Sequence, residues 1–146
     1  MEAQRTPAQW FALLAGLFLA AVGVLTLAFN DVDFGATRDP TEFLIWKVSG
    51  WNTILWMAMG VIGLFSSMRV DASRAYGIEA MIVFGALAVW GFVDTGYDTM
   101  GVFGIGTAGN ITHAIIGGLG AVAASMPESV QRDVSATGPQ EHHPLL

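Results

Sequence analysis

Two ionisable residues interrupt long apolar stretches of this sequence, and their chemistry needs accounting for first. His113 lies in the uncharged run from Thr99 to Pro127, and Glu79 is the only charged residue between Ala75 and Val93. A membrane-embedded imidazole can ligate haem or a related pigment. It can also accept a proton together with Asp94 or Asp98, or hydrogen-bond to a neighbouring helix. An embedded carboxylate can carry protons or ions, or pair with a nearby cation, here Arg5 or Arg69. The residues favour helix packing for His113 and a structural ion pair for Glu79. The two stand at opposite ends of the expected bundle, and between them lie mainly Thr, Ser and Trp, which is a poor proton route. Asn110 stands where a helix would begin, as a candidate N-cap. His142 and His143 are an isolated pair without further ligands at metal spacing, so no metal or other cofactor is expected.

The elements that must position these groups follow from where the charges are not. Of 146 residues, 53% are hydrophobic and only 12% are charged, well below the usual share of roughly a quarter. The charges cluster between four stretches of the order of 20 residues, the length that crosses the hydrocarbon of a bilayer. An all-α integral membrane protein is therefore expected, a bundle with spans at about 8–29, 51–68, 75–93 and 110–126. Residues 1–126 form one membrane domain, and the polar stretch 127–146 reads as a disordered cytoplasmic tail. The first stretch is too long for the apolar core of a secretory signal, roughly 7–15 residues.

Tryptophan and basic residues set depth and orientation. Trp10, Trp46, Trp51 and Trp90 fall near predicted span boundaries, and Phe43 to Trp51 reads as an interfacial segment. Arg5, Arg69, Arg74 and Arg132 share one side, against Arg38 and Lys47 on the other. By the positive-inside rule both termini are cytoplasmic. Cysteine is absent, which removes disulfides and thiolate sites. The net charge of −6 argues against nucleic acid as a partner.

The two halves of the chain echo each other. Thr53, Trp56, Gly60, Gly63 and Ser67 match Asn110, His113, Gly117, Gly120 and Ala124 at one offset, while Arg5 and Gly16 match Arg74 and Gly85. Phe34-Gly35 and Phe103-Gly104 follow the odd-numbered helices. Two tandem two-helix repeats related by an axis along the membrane normal are expected. The intervals of three and four also put each set on one helical stripe, and glycine there allows backbones to approach closely. The pattern Asn-x-x-His-x-x-x-Gly-x-x-Gly after a Phe-Gly loop resembles an uncharacterised family of bacterial four-helix membrane proteins, known only as a domain of unknown function. The resemblance covers residues 5 to 126. It implies the fold and a bacterial cytoplasmic (inner) membrane, and Trp56 stands where that family often has a second histidine.

No Ser–His–Asp arrangement, HExxH or phosphate-binding glycine loop is present, so enzyme activity is not expected. The favoured reading is a structural or accessory membrane subunit. Asn110, His113, Gly117, Gly120, Trp56, Gly60 and Gly63 would pack its helices, and its partners would be lipid and either itself or a larger complex. The alternatives are a small proton, ion or solute transporter, or a protein that binds a cofactor through His113.

Overall fold

A computed structural model describes residues 5–32, 34, 41–93 and 106–126. Asp33, Arg38, Asp94, Asp98, Phe103-Gly104, Arg132, His142, His143 and the expected tail lie outside the described residues. Helix α1 (Pro7–Phe29) opens with a capping box: Gln9 N donates to the Thr6 hydroxyl, and the Gln9 side chain accepts from Thr6 N. Pro7 follows as the first helical residue, where its missing N–H costs nothing. Strands β1 (Thr41–Phe43) and β2 (Trp46–Val48) form an antiparallel hairpin through Leu44, whose φ is 54°. Helix α2 (Gly50–Ser66) is capped by Ser49, which accepts from Asn52 N. Helices α3 (Val70–Val93) and α4 (Thr107–Ser125) complete an all-α architecture around that small hairpin.

Three expectations change here. The Phe43–Trp51 stretch is a β-hairpin leading into α2, with Glu42 and Lys47 paired across it at 3.5 Å. Helix α3 starts at Val70, ahead of the expected span, because Asp71 and Arg74 are excluded from a hydrocarbon span yet not from a helix. Helix α4 starts at Thr107 after Gly106, so Asn110 lies within its first turn and is not the cap.

The helices alternate in direction. One end of the bundle gathers the start of α1, the α2–α3 turn and the end of α4: Arg5 Nη1 donates to Ser67 Oγ at 3.5 Å, and Arg74 Nη2 to Ala124 O at 3.3 Å. The β-hairpin marks the other end. Packing is closest within the pairs α1–α2 and α3–α4. A Cβ at Gly60 would collide with the Ala20 backbone, and one at Gly63 would lie 2.9 Å from Ala12 O. In the second pair, a Cβ at Gly117 would lie 2.9 Å from Gly85 N and one at Gly120 2.7 Å from Gly77 O. Gln9 Nε2 donates to Ser67 O at 3.2 Å, as Arg74 does to Ala124 O.

These contacts share a register. Gly60, Gly63 and Ser67 precede Gly117, Gly120 and Ala124 by one constant interval, and Gln9, Ala12 and Ala20 precede Arg74, Gly77 and Gly85 by another. Arg74 therefore occupies the place of Gln9, and Gly85 that of Ala20. Both are one helical turn from the Arg5 and Gly16 positions with which their sequence spacing pairs them.

Helices α1 and α3 are long and apolar enough to cross a membrane, while α2 is apolar but shorter. The core includes Leu19, Trp56, Tyr76 and Phe84, all essentially inaccessible. Around it the outer faces are strongly apolar, with Leu14, Leu17, Phe65, Ile82, Val89 and Val93 exposed.

Candidate functional site

Trp56 on α2 and His113 on α4 are both wholly buried, and their side chains meet: Trp56 Nε1 donates to His113 Nε2 at 2.8 Å. The rings sit edge-on with centroids 5.8 Å apart. Phe84 of α3 packs against the imidazole at 5.1 Å, and Trp46 of β2 meets Trp56 edge-on at 6.1 Å. Trp46 also contacts Phe18 of α1 at 5.9 Å. Every helix thus contributes an aromatic ring to, or adjoining, one cluster around the imidazole. Trp46 Nε1 donates to Thr112 Oγ1 at 2.9 Å, so two successive residues of α4 accept bonds from tryptophans of the first half. Trp46 is half-buried and belongs to this cluster, beyond the anchoring role its type suggests.

The indole bond fixes the state of His113. Indole N–H is only a donor, so His113 Nε2 must offer its lone pair. In the neutral ring the proton then sits on Nδ1. Neither nitrogen keeps a free lone pair for a metal or haem iron in this arrangement. A doubly protonated ring would set an N–H against the indole N–H. What the arrangement does well is pin α4 to α2 through a bond shielded from solvent, where competing donors are few.

The remaining residues fall around this pair or away from it. Asn110 Nδ2 donates to Gly91 O on α3 at 2.8 Å, reaching across to the neighbouring helix. Its amide lies so close to Gly91 that a side chain there would overlap it. Thr53, its counterpart by position, donates to Ser49 O within its own helix at 2.9 Å. Gly60, Gly63, Gly117 and Gly120 lie along the α1–α2 and α3–α4 seams. Glu79 lies on the exposed face of α3 and, among the described residues, forms no ion pair. Neither expected partner pairs with it among the described residues: Arg5 reaches Ser67 and lies over the Trp10 ring at 5.9 Å, and Arg69 forms no ion pair with it.

Sequence reasoning passed over Asn52, which is completely buried one turn from Trp56 with no partner for either amide atom. The available signal was an amide in an apolar helix, four residues before a stripe tryptophan. Among the described residues, no group of three His, Asp or Glu side chains could hold a metal ion.

A family model described as a domain of unknown function (DUF4383) matches residues 9–126. No curated protein and no solved structure matches the chain.

Proposed function

Because the chain belongs to the DUF4383 family of domains of unknown function, whose description brings no activity with it, we propose a role from its own geometry: a non-enzymatic, structural or accessory membrane protein. It crosses a bacterial cytoplasmic membrane four times, as two tandem two-helix repeats, and packs with copies of itself or in a larger complex. The observation that carries this reading is the Trp56–His113 bond. It consumes the histidine of α4 in holding helices together, leaving proton or cofactor chemistry without its natural group.

Further support comes from the outer surface and the basic residues. Helices α1 and α3 are long enough to span, and α2 and α4 lie antiparallel against them at the same depth, with exposed faces rich in Ile, Leu, Val and Phe. Polar side chains such as Asn52, Thr53, Asn110 and His113 are turned inward, as a hydrocarbon surround requires. Arg5, Arg69 and Arg74 gather at the end opposite the β-hairpin, which supports cytoplasmic termini. The recurring carbonyl ties and glycine contacts support the repeat.

The decisive comparison is wild type against His113→Gln, whose amide oxygen can still accept from Trp56. Both purified proteins should show the same heat stability, no visible absorption and no flux in proteoliposomes. Absorption or flux that the variant loses would overturn the structural role. Orientation is checked separately. The chain has no native cysteine, so Leu44→Cys should react with an impermeant thiol reagent from outside. Met68→Cys should react only after permeabilisation.

A further inference from the structure

Helices α1 and α4 do not close against each other along their length. Between them runs a groove of about 530 Å³, walled by Leu14 and Phe18 of α1 and Ile115 and Leu119 of α4, with the short side chains of Ala15 and Ala123 on its floor. Among the described residues Thr112 is the one polar member of the lining, and its hydroxyl is already engaged. It donates to Ala108 O and accepts from Trp46 Nε1, both at 2.9 Å. A groove so lined takes an apolar occupant.

The two ends of the groove differ. Toward the hairpin, Trp46 packs edge-on against Phe18 at 5.9 Å and bonds to Thr112, so one indole bridges both walls and closes that end. At the other end the lining reaches Pro7, the first residue of α1, and Met126, the residue after α4. From Pro7 to Phe18 and from Thr112 to Met126 the walls run roughly 17–21 Å at about 1.5 Å per residue, against about 15 Å for half the hydrocarbon of a bilayer. The slot therefore has the length of one leaflet. A helix of a second copy, which crosses both leaflets, would meet Trp46 and the hairpin partway. The chain after Met126 begins Pro-Glu-Ser-Val-Gln-Arg-Asp, too polar for such a lining.

Cations stand at the open end. Arg5, two residues before Pro7, is exposed and lies over the ring of Trp10, a side-chain type that settles at headgroup depth. Its guanidinium has five N–H donors and, among the described residues, gives one to Ser67 Oγ at a long 3.5 Å. Arg74 donates to Ala124 O, beside Ala123. At this end Arg5, Arg69 and Arg74 outnumber Asp71 and Glu79. We propose, on the reading that the bundle spans a bilayer, that the groove holds one acyl chain of an anionic phospholipid from this leaflet, with its phosphate against Arg5. Guanidinium–phosphate hydrogen bonds are charge-assisted, and a net negative headgroup adds attraction to the other arginines.

The test uses the full chain in nanodiscs doped with a phosphatidylglycerol that carries a photoreactive diazirine in mid-chain, or with the matching phosphatidylcholine. Adducts are mapped by mass spectrometry. Leu14, Ile115 and Leu119 report the groove, while Ile78 and Ile82, exposed on α3, report the outer face. The phosphatidylglycerol should label the groove severalfold more than the outer face, and the phosphatidylcholine should show a much smaller excess. Arg5→Gln should bring the two lipids level. Ala15→Phe, which fills the floor, should abolish the groove excess for both; if it does not fold, the headgroup comparison and Arg5→Gln decide. Equal labelling of the two faces would overturn the proposal, as would an excess indifferent to headgroup or unchanged in Arg5→Gln. So would adducts missing from the groove alone, the mark of a second copy or of residues 127–146 lying in it. Adducts missing from Ile78 and Ile82 as well would overturn the membrane-spanning reading, and the lipid site with it.

Discussion

The two helical pairs, α1–α2 and α3–α4, share a backbone arrangement and differ in how they use it. Each closes through glycines on its even-numbered helix, and each is tied at the arginine end by one side chain donating to a carbonyl. At the hairpin end they diverge. Thr53 bonds within its own helix, whereas Asn110 crosses to α3; Trp56 donates a hydrogen bond where His113 accepts one. Equivalent positions that meet at the centre cannot both be donors. Two indoles there would leave both N–H groups unpaired in a buried core. An indole facing an imidazole satisfies both.

The shared backbone arrangement is the part most easily broken. Gly60→Leu and Gly117→Leu should each destabilise the bundle by about 3 kcal/mol, because overpacking costs roughly 1–3 kcal/mol and a neighbouring backbone gives way least. Gly118→Leu, whose Cβ meets nothing within 4 Å, is the control in thermal unfolding with detergent. Equal losses at all three positions would mean that the seams are not where the helices touch.

Next in size is the central pair. His113→Leu and Trp56→Phe should each cost about 1–2 kcal/mol, by stranding the indole N–H or the imidazole nitrogen. The double variant should cost less than the sum of the two. A double-mutant cycle with no coupling would remove the bond from the account.

The divergence at the hairpin end predicts unequal sensitivity. Asn110→Leu loses a bond between helices and should cost about 1 kcal/mol. Thr53→Val loses only a local one and should cost about half as much or less. Comparable unfolding midpoints for the two would erase the asymmetry. The smallest expected effect, that of Arg5, is at the other end. Gln9→Leu should cost about 0.5–1 kcal/mol by freeing the Ser67 carbonyl and removing the acceptor for Thr6 N in the capping box. Arg5→Leu, whose contact with Ser67 is long at 3.5 Å and comes from an exposed side chain, should be nearly neutral. The reverse ranking would restore Arg5 as the partner of Arg74.

Much of the helical layout was legible in the residues. Charge-poor runs ending at Phe29, Met68 and Val93 located three helices to within a few positions, since charges avoid the middle of apolar segments. The spacing of Gly60, Gly63, Gly117 and Gly120 marked the close seams, because intervals of three and four lie on one helical face. The β-hairpin was missed because Trp46, Lys47 and Trp51 carry an equally good interfacial signal. The place of Glu79 near the arginine end of its span suggests a pair with Arg5 or Arg69, yet α3 turns it outward.

The number of helices, their order and the residues available to touch were already written in the chain. Those properties come from hydrophobicity and helical period, which are local. That Trp56 holds His113, that Trp46 reaches Thr112, that Asn110 bonds to Gly91, and that Gln9 is the counterpart of Arg74 emerges from the packing alone. These helices are apolar around most of their circumference, so composition leaves their rotation and relative height open. Those are set by where glycines let two backbones approach, and a one-turn slide of one helix past another preserves the sequence pattern while changing every partner.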